Sequence, residues 1–286
     1  MFNPAKTFLP LLILFLCSTV NADHLRVGYD ARLFKIFGEK DVEVATKVWV
    51  EEILKDLQRH TFSFRFYDDV EELAADVEAD RIDFVVTDGL TFVRHFDLDK
   101  LADGFNAGAL NREDSVYVVV IRSDEGIEGW RDLKEKTFAV QKNDPVAELY
   151  LQYRMQLHND SEAKSLQRYE KRDRVLLKLF FGKADAAVVP KRQFELAVEL
   201  NPQMGQRLKI MEVSQIPSYR FGLFRKALDP GFAKEVTDLA IAIDHDERGK
   251  QLLMIYQTEK LIITRVSDLE SIRRLDAAYN TLVHSK

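Results

Sequence analysis

The pattern of apolar and polar positions centres on residues 82–91. Residues 82–86 form an apolar run that only Asp83 interrupts, and a short turn containing Thr87, Asp88 and Thr91 follows it. An amphipathic segment at 69–80 precedes the run with helical spacing. This succession predicts a helix, a buried strand, a polar turn and a new helix within about 25 residues, the spacing of an α/β unit.

The same alternation precedes this unit. Strands are predicted at 25–29 and 61–67 with a helix at 42–57 between them, so the order up to residue 87 is β-α-β-α-β. Phe62 and Phe66 lie on the same face of the second strand. Strands that alternate with helices favour a mainly parallel sheet that is covered on both faces.

A second α/β series follows a β-branched run at 115–122. It begins with a strand at 137–140, continues with a helix that starts at Asp144 and Pro145, and includes another helix at 173–181. Asp144 is a suitable N-cap, and proline suits the first helical position because its missing N–H costs nothing there. The series predicts a second α/β layer.

Two segments of the chain resemble each other. Residues 81–87 and 183–190 each follow a helix and contain a basic residue, an aspartate (Asp83 or Asp185) and an apolar strand. So short an echo has two explanations that the sequence leaves open: convergence on one α/β turn, or two lobes of similar construction.

The chain then returns to its first half. Extended segments at 214–219 and 220–225 are followed by a helix at 230–246 and further helical segments. We expect the runs at 115–122 and 220–225 to be paired crossings between two lobes. The predicted division is a leader at 1–22, lobe 1 at 23–115 and 221–286, and lobe 2 at 116–220.

The amino-terminal residues indicate the cellular location of the protein. Lys6 precedes an apolar run at 8–17, and residues 20–22 offer a cleavage site for a signal peptidase. The run is too short to span a bilayer comfortably. We therefore expect a cleavable secretory signal peptide and a soluble, exported mature protein.

Charge and cysteine content exclude several classes. Of the 41 basic residues only Lys6 precedes residue 23, where no acidic residue occurs, so the remaining chain has a formal net charge of −7. An acidic exported chain is a poor candidate for binding nucleic acid or anionic membranes. Cys17 is the only cysteine, so a mature chain without it has no disulfide or thiol chemistry. We also expect a monomer.

The search for enzyme chemistry is mostly negative. No nucleophile-elbow, phosphate-loop or zinc-protease motif occurs, and the six histidines lack ligand spacing. Residues 244–246 (Asp-His-Asp) point in different directions on a helix, which favours a solvated surface over a metal site. Asp88 and Asp144 could form an acid/base pair across a cleft, although nothing in the sequence brings them together. We expect no cofactor, no metal and no catalysis.

Taken together, the segments resemble the periplasmic solute-binding proteins for phosphate, phosphite and phosphonate, which have the type II periplasmic binding protein fold. No single segment is specific, but their order and spacing extend over nearly the whole mature chain. The resemblance lies in residues 27–29, 82–87, 117–123, 127, 132–134, 182–189, 214–217 and 248–253.

The resemblance implies an α/β protein of two lobes joined by two crossing hinge strands. It also implies a ligand held in the cleft between the lobes, closure like a hinged clamp, and delivery to an ABC permease. The chain departs from phosphonate-binding members at one place. Those members carry a serine/threonine–glycine loop at the start of the first helix of lobe 2, where this chain has Gln-Lys-Asn-Asp-Pro-Val at 141–146.

Candidate ligand-binding residues lie at the ends of strands and the starts of helices, where polar side chains meet free backbone N–H groups. Each also has a structural explanation: helix capping for Thr87, Asp88, Asn143 and Asp144, and surface or hinge packing for the tyrosines. The predicted ligand-binding set is Tyr29, Asp30, Arg32, Thr87, Asp88, Thr91, Asn143, Asp144 and Tyr219.

The expected function is periplasmic capture of a small polar ligand for an ABC permease, with a phosphonate or phosphate-like oxyanion among the candidates. Two alternatives use the same fold. One is a ligand-sensing partner of a membrane receptor or sensor kinase, and the other is a small exported enzyme such as a dehydratase.

Overall fold

The structure is a computed structural model that describes residues 24–34, 47–48, 61–108, 115–161, 163, 165–245, 247–255, 258 and 260–285. The predicted signal peptide, most of the helix at 42–57, and Asp246 lie outside the described residues. The predicted strands at 25–29, 61–67 and 137–140 are confirmed to within a residue or two.

Alternating apolar runs form the strands. They are β1 (His24–Asp30), β2 (Thr61–Tyr67), β3 (Phe84–Thr87), β4 (Leu101–Ala102), β5 (Gly104–Gly108), β6 (Val116–Arg122), β7 (Thr137–Gln141), β8 (Ser165–Tyr169), β9 (Ala186–Pro190), β10 (Leu208–Pro217), β11 (Phe221–Arg225) and β12 (Lys260–Thr264).

The helices cover the faces of the sheets, and several begin at an aspartate cap, as Asp69 does by accepting a hydrogen bond from the backbone N–H of Glu71 at 2.8 Å. They are α1 (Val70–Glu78), α2 (Gly89–His95), α3 (Pro145–Asn159), α4 (Arg172–Phe180), α5 (Lys191–Leu200), α6 (Pro202–Arg207), α7 (Pro230–Ile241), α8 (Glu247–Ile255) and α9 (Leu269–His284).

The two large sheets have the same strand order. The first reads β2-β1-β3-β11-β4, and the second, taken from its other edge, reads β8-β7-β9-β6-β10. In each sheet the first three strands are parallel and the fourth is antiparallel to the third. Strands β5 and β12 form a small antiparallel sheet of their own.

The echo between residues 81–87 and 183–190 therefore comes from two lobes of similar construction. In the first sheet, the backbone N–H of Asp83 donates to the carbonyl of Arg26, and the Asp83 carboxylate accepts from the Arg26 N–H at 3.1 Å. In the second, Asp185 makes the same two contacts with Thr137, whose N–H donates to the carboxylate at 2.7 Å. Each aspartate ties the strand that follows it to the first parallel strand of its sheet.

The predicted crossings need a correction in detail. Strands β6 and β11 do not pair with each other, because β6 lies in the second sheet and β11 in the first. The crossing segments lie directly beside them. Pro217 is in register with Val116, and the Ser218 N–H donates to the Ser115 carbonyl at 2.8 Å.

The helix predicted at 230–246 is shorter than expected. Helix α7 ends at Ile241 and a short 3-10 turn, Ala242–His245, follows it. A Cβ atom at Gly249 would lie 1.6 Å from the Ile243 carbonyl oxygen. The turn can therefore fold back against α8 only because residue 249 has no side chain.

Helix α9 also differs from expectation. The C-terminal helical segments were expected to complete lobe 1, but α9 packs against α2 of the first lobe and against α3 and β10 of the second. Leu269 and Ile272 are fully buried and Leu275 nearly so. The helix thus contacts both halves of the molecule.

Candidate functional site

Asp30 and Thr87 meet at one edge of the first sheet. They end the parallel neighbours β1 and β3, whose carboxyl ends lie side by side. Asp30 is fully buried, and it accepts hydrogen bonds from Arg32 Nε at 2.9 Å, Arg32 Nη2 at 2.7 Å and the Thr87 hydroxyl at 2.7 Å. The hydrogen bond to Asp30 raises the pKa of Arg32, so this guanidinium stays charged while its side chain remains 40% exposed.

The network continues into the start of α2. Arg32 Nη2 also donates to Thr91 Oγ1 at 3.0 Å, and that hydroxyl donates to Asp88 Oδ2 at 2.6 Å. Asp88 Oδ1 accepts from the Thr91 backbone N–H at 2.9 Å, which makes Asp88 the N-cap of α2. The capping role of Asp88 is therefore present, and contact with a ligand stays a prediction.

The second lobe approaches this network at the start of α3. Asn143 has the left-handed φ of 60°, and its Nδ2 donates to the Arg32 carbonyl at 3.4 Å. Asp144 caps α3 by accepting from the Ala147 N–H at 3.2 Å. The two cleft walls, defined as residues 30–32 with 87–91 and residues 143–144, thus touch in the described structure.

Tyr117 lies behind the second wall and contacts it, and the sequence did not indicate this residue as part of the site. Its hydroxyl donates to Asp144 Oδ1 at 2.6 Å, although its side chain is buried in the second sheet. Alternation along β6 places Tyr117 on the same face as Val119 and Ile121. The two-residue period of β6 predicts which face of the strand Tyr117 occupies, but no signal near Tyr117 in the sequence identifies Asp144 as the acceptor of its hydrogen bond.

Two predicted site residues are placed in other surroundings. Tyr29 stacks on Phe66 with ring centroids 5.3 Å apart and packs in the cluster that contains Val27. Tyr219 donates its hydroxyl to Asp268 at 2.9 Å beside the start of α9, and its ring lies 5.0 Å from that of Phe221. Residues 27 and 29 are two positions apart in β1 and therefore lie on the same face of the strand. This spacing could have revealed that Tyr29 packs with Val27.

The charges at the two walls are unequal. The guanidinium of Arg32 lies beside the carboxylates of Asp30 and Asp88, and Asp144 adds a third carboxylate at the start of α3 in the second wall. Both Asp88 and Asp144 hold helix caps, so neither is positioned as a free acid or base. The arrangement suits the binding of a polar molecule.

Other site types find no support in the described part of the chain. None of its His, Cys, Asp and Glu side chains group in threes in a way that could hold a metal ion. Among the same residues, no helix is long and apolar enough to cross a membrane. Two open grooves of about 470 and 530 Å³ lie away from the cleft walls, and both border α9.

Solved structures share this fold at low sequence identity. A methylphosphonate complex of PhnD1 from Prochlorococcus marinus is 16% identical with a TM-score of 0.60, covering 90% of this chain and 98% of that one. A binding protein component of an ABC phosphonate transporter from Pseudomonas aeruginosa is 14% identical with a TM-score of 0.59, covering 91% and 88%. The periplasmic aliphatic sulphonate binding protein SsuA from Escherichia coli is 14% identical with a TM-score of 0.54, covering 92% and 94%.

The sequence itself gives a more direct assignment. No curated protein matches it. The family model for the phosphonate periplasmic substrate-binding proteins of ABC transporters matches residues 37–269, which is most of the chain. Together with the two similarly built α/β lobes of the type II fold, this match shows that the chain belongs to the phosphonate family of periplasmic substrate-binding proteins of ABC transporters.

Proposed function

We propose that the solute bound by this chain is a small zwitterion, with an acidic group held at Arg32 and an amino group near the surrounding carboxylates. The role of the family is to bind a solute for a membrane permease without catalysis, as the sequence predicted. The permease, rather than a sensor kinase, is the partner that this family implies. The proposal concerns the identity of the solute and the residues that hold it.

The main support for the proposal is the position of the Arg32 guanidinium. Its Nε and Nη2 atoms are occupied by Asp30 and Thr91, while its side chain is 40% exposed at the point where Asn143 of the second lobe arrives. A guanidinium fixed in this way is preorganised for a carboxylate, phosphonate or sulfonate group. The Asn143 amide would supply a second donor from the opposite wall.

The carboxylates refine the class of solute. Asp30 already offsets the charge of Arg32, Asp88 adds a second carboxylate beside it, and Asp144 brings a third to the opposite wall. An inorganic dianion such as phosphate would meet net repulsion, whereas a solute with its own amino group would not. The same feature explains why the second wall has Asn143 and Asp144 in place of a hydroxyl-rich loop. The methylphosphonate relative supports the acidic half of this class.

Calorimetric titration of the purified mature protein tests the proposal. We expect 2-aminoethylphosphonate to bind at least roughly tenfold more tightly than methylphosphonate, and phosphate more weakly than both. Arg32→Gln should weaken binding of 2-aminoethylphosphonate by roughly 10- to 100-fold, the usual range for loss of a charged hydrogen bond.

A matched control is available within the chain. Arg122 pairs with Asp124 two residues away, as Arg32 pairs with Asp30, but it lies at the end of β6 that points away from the second wall. Arg122→Gln should leave the affinity unchanged. Tightest binding of phosphate, or equal losses in both variants, would contradict the proposal.

We also propose export through the apolar segment at 8–17 and a monomeric mature protein. Amino-terminal sequencing of the periplasmic form should begin at Asp23, and sedimentation should give the mass of one chain. A retained first residue, or a dimer mass, would overturn the respective part.

A further inference from the structure

Helix α9 presents two side-chain stripes to two different lobes. Ser271, Arg274, Leu275 and Ala278 recur at helical spacing and face a groove. Leu269, Ile272 and Asp276 form a second stripe on another side of the same helix. The two stripes contact different partners.

The second stripe rests on α2 of the first lobe. A Cβ atom built at Gly89, the first residue of α2, would lie 2.3 Å from Ile272 Cδ1 and 3.4 Å from Leu269 Cδ2. Asp276 accepts from Arg94 Nη2, near the end of α2, at 2.6 Å. Both ends of α2 are therefore fixed against α9.

The first stripe rests on α3 and β10 of the second lobe. Across the groove of about 470 Å³ from Leu275 and Ala278 lie Tyr150, Tyr153 and Arg154 of α3 together with residues 212–216 of β10. Glu212 of β10 ties this surface together, because it accepts hydrogen bonds from Tyr150, Arg154 and Trp130 Nε1, the last at 2.8 Å. Helix α3 and strand β10 are thereby joined through one carboxylate.

Helix α9 packs against α2 and α3, and the N-termini of these two helices form part of the cleft walls. Asp88 is the N-cap of α2 and Asp144 is the N-cap of α3. We infer that α9 holds the two cleft walls at their binding distance, and that Leu275 is a positioning residue that sets the balance between the closed and open forms without reaching the cleft.

The physical reason is that α9 is bound more firmly to the first lobe than to the second. The segment that leads into α9 is tied to the first lobe by further bonds, from the Val266 N–H to Asp103 and from the Thr264 hydroxyl to the Gly222 carbonyl. Rotation of the second lobe away from the first would leave those bonds intact and expose Leu275, which is 6% exposed in the described structure. Burial of this leucine therefore favours the closed arrangement, in which Asn143 reaches Arg32.

Distance measurements between two spin labels test this inference without any solute, so the result does not depend on which molecule the cleft binds. Labels at Asp238→Cys on α7 and Glu199→Cys on α5, in a Cys17→Ser background, occupy side chains that are 62% and 59% exposed. We expect Leu275→Ala to raise the population at the longer interlobe distance by roughly tenfold. Tyr153→Ala, which shortens a half-buried side chain of α3 that lines the same groove as Leu275, should shift the distribution in the same direction.

Leu253→Ala is the matched control. Leu253 is a buried leucine of α8 in the cluster around Phe84 and Phe224, away from α3. It should lower the melting temperature as Leu275→Ala does, but it should leave the interlobe distance unchanged. A wild-type distribution in both Leu275→Ala and Tyr153→Ala, or an equal shift in Leu253→Ala, would overturn the inference.

Discussion

The equivalent aspartates of the two lobes give the sharpest stability prediction. Asp83→Asn and Asp185→Asn make the same chemical change at the same topological position, where each carboxylate accepts from the backbone of the first parallel strand of its sheet. Their surroundings differ. The Asp83 side chain is 1% exposed and the Asp185 side chain is 26% exposed.

The contacts determine the expected magnitudes. Asp83 accepts from Arg26 Nε and Nη2, both at 2.6 Å, and from Arg225 Nη2 at 2.9 Å. Asparagine would remove the charge and leave a guanidinium that is only 13% exposed without its buried partner. We expect a loss of about 3 kcal/mol in the free energy of unfolding, at the low end for breaking a buried pair because Arg26 can regain water. Asp185 has the Thr137 N–H at 2.7 Å and Lys136 at 3.8 Å, which predicts about 1 kcal/mol.

Urea denaturation of both variants at several pH values is the assay. Burial by itself would raise the pKa of Asp83, but hydrogen bonds from Arg26 and Arg225 outweigh it and lower the pKa. A carboxylate whose pKa is lowered by folding contributes stability above its unfolded pKa and loses that contribution as the pH falls toward the folded value. The cost of Asp83→Asn should therefore shrink below about pH 4. Equal costs for the two variants at pH 7, or a cost of Asp83→Asn that is as large at pH 3 as at pH 7, would refute the reasoning.

Three further predictions concern single contacts. Gly89→Ala should lower the free energy of unfolding by about 1–3 kcal/mol by overpacking against Ile272, and Ile272→Val in the same chain should recover part of the loss in urea denaturation. Tyr117→Phe should cost about 1 kcal/mol by removing the hydrogen bond to Asp144, and an unchanged denaturation midpoint would contradict that contact. Burial lowers the pKa of His158, so its ring should titrate below 6.5 by NMR, with stability falling as the pH drops from 6.5 toward that value.

Local signals account for most of the secondary structure. The cap at Asp144 with Pro145, the alternation along 61–67 and the helix at 173–181 each depend on residues within a few positions of one another, and the structure contains all three. The resemblance of residues 81–87 to 183–190 also had a local origin, although the sequence left its meaning open. The shared strand order supplies that meaning, because it places the two aspartates at equivalent positions.

The candidate site was less accessible from the sequence. The rule that ligands bind beyond the carboxyl ends of parallel strands correctly brings Asp30 and Thr87 together. It does not show that Arg32 would bind both Asp30 and Thr91, or that Tyr117 would hold Asp144. Thr91 lies 59 residues from Arg32 and Asp144 lies 27 residues from Tyr117, and no periodic pattern encodes a contact of that kind.

The sequence by itself determined the α/β alternation, the helix starts and the residues at the ends of the parallel strands, because these follow from backbone period and capping over short stretches. Only the tertiary structure decided that α9 rests on both lobes rather than on the first alone. Each of the two stripes of this helix could pack against any of several surfaces. The surface that each stripe covers depends on which helices the folded sheets bring beside it, and that choice is made by packing across the whole chain.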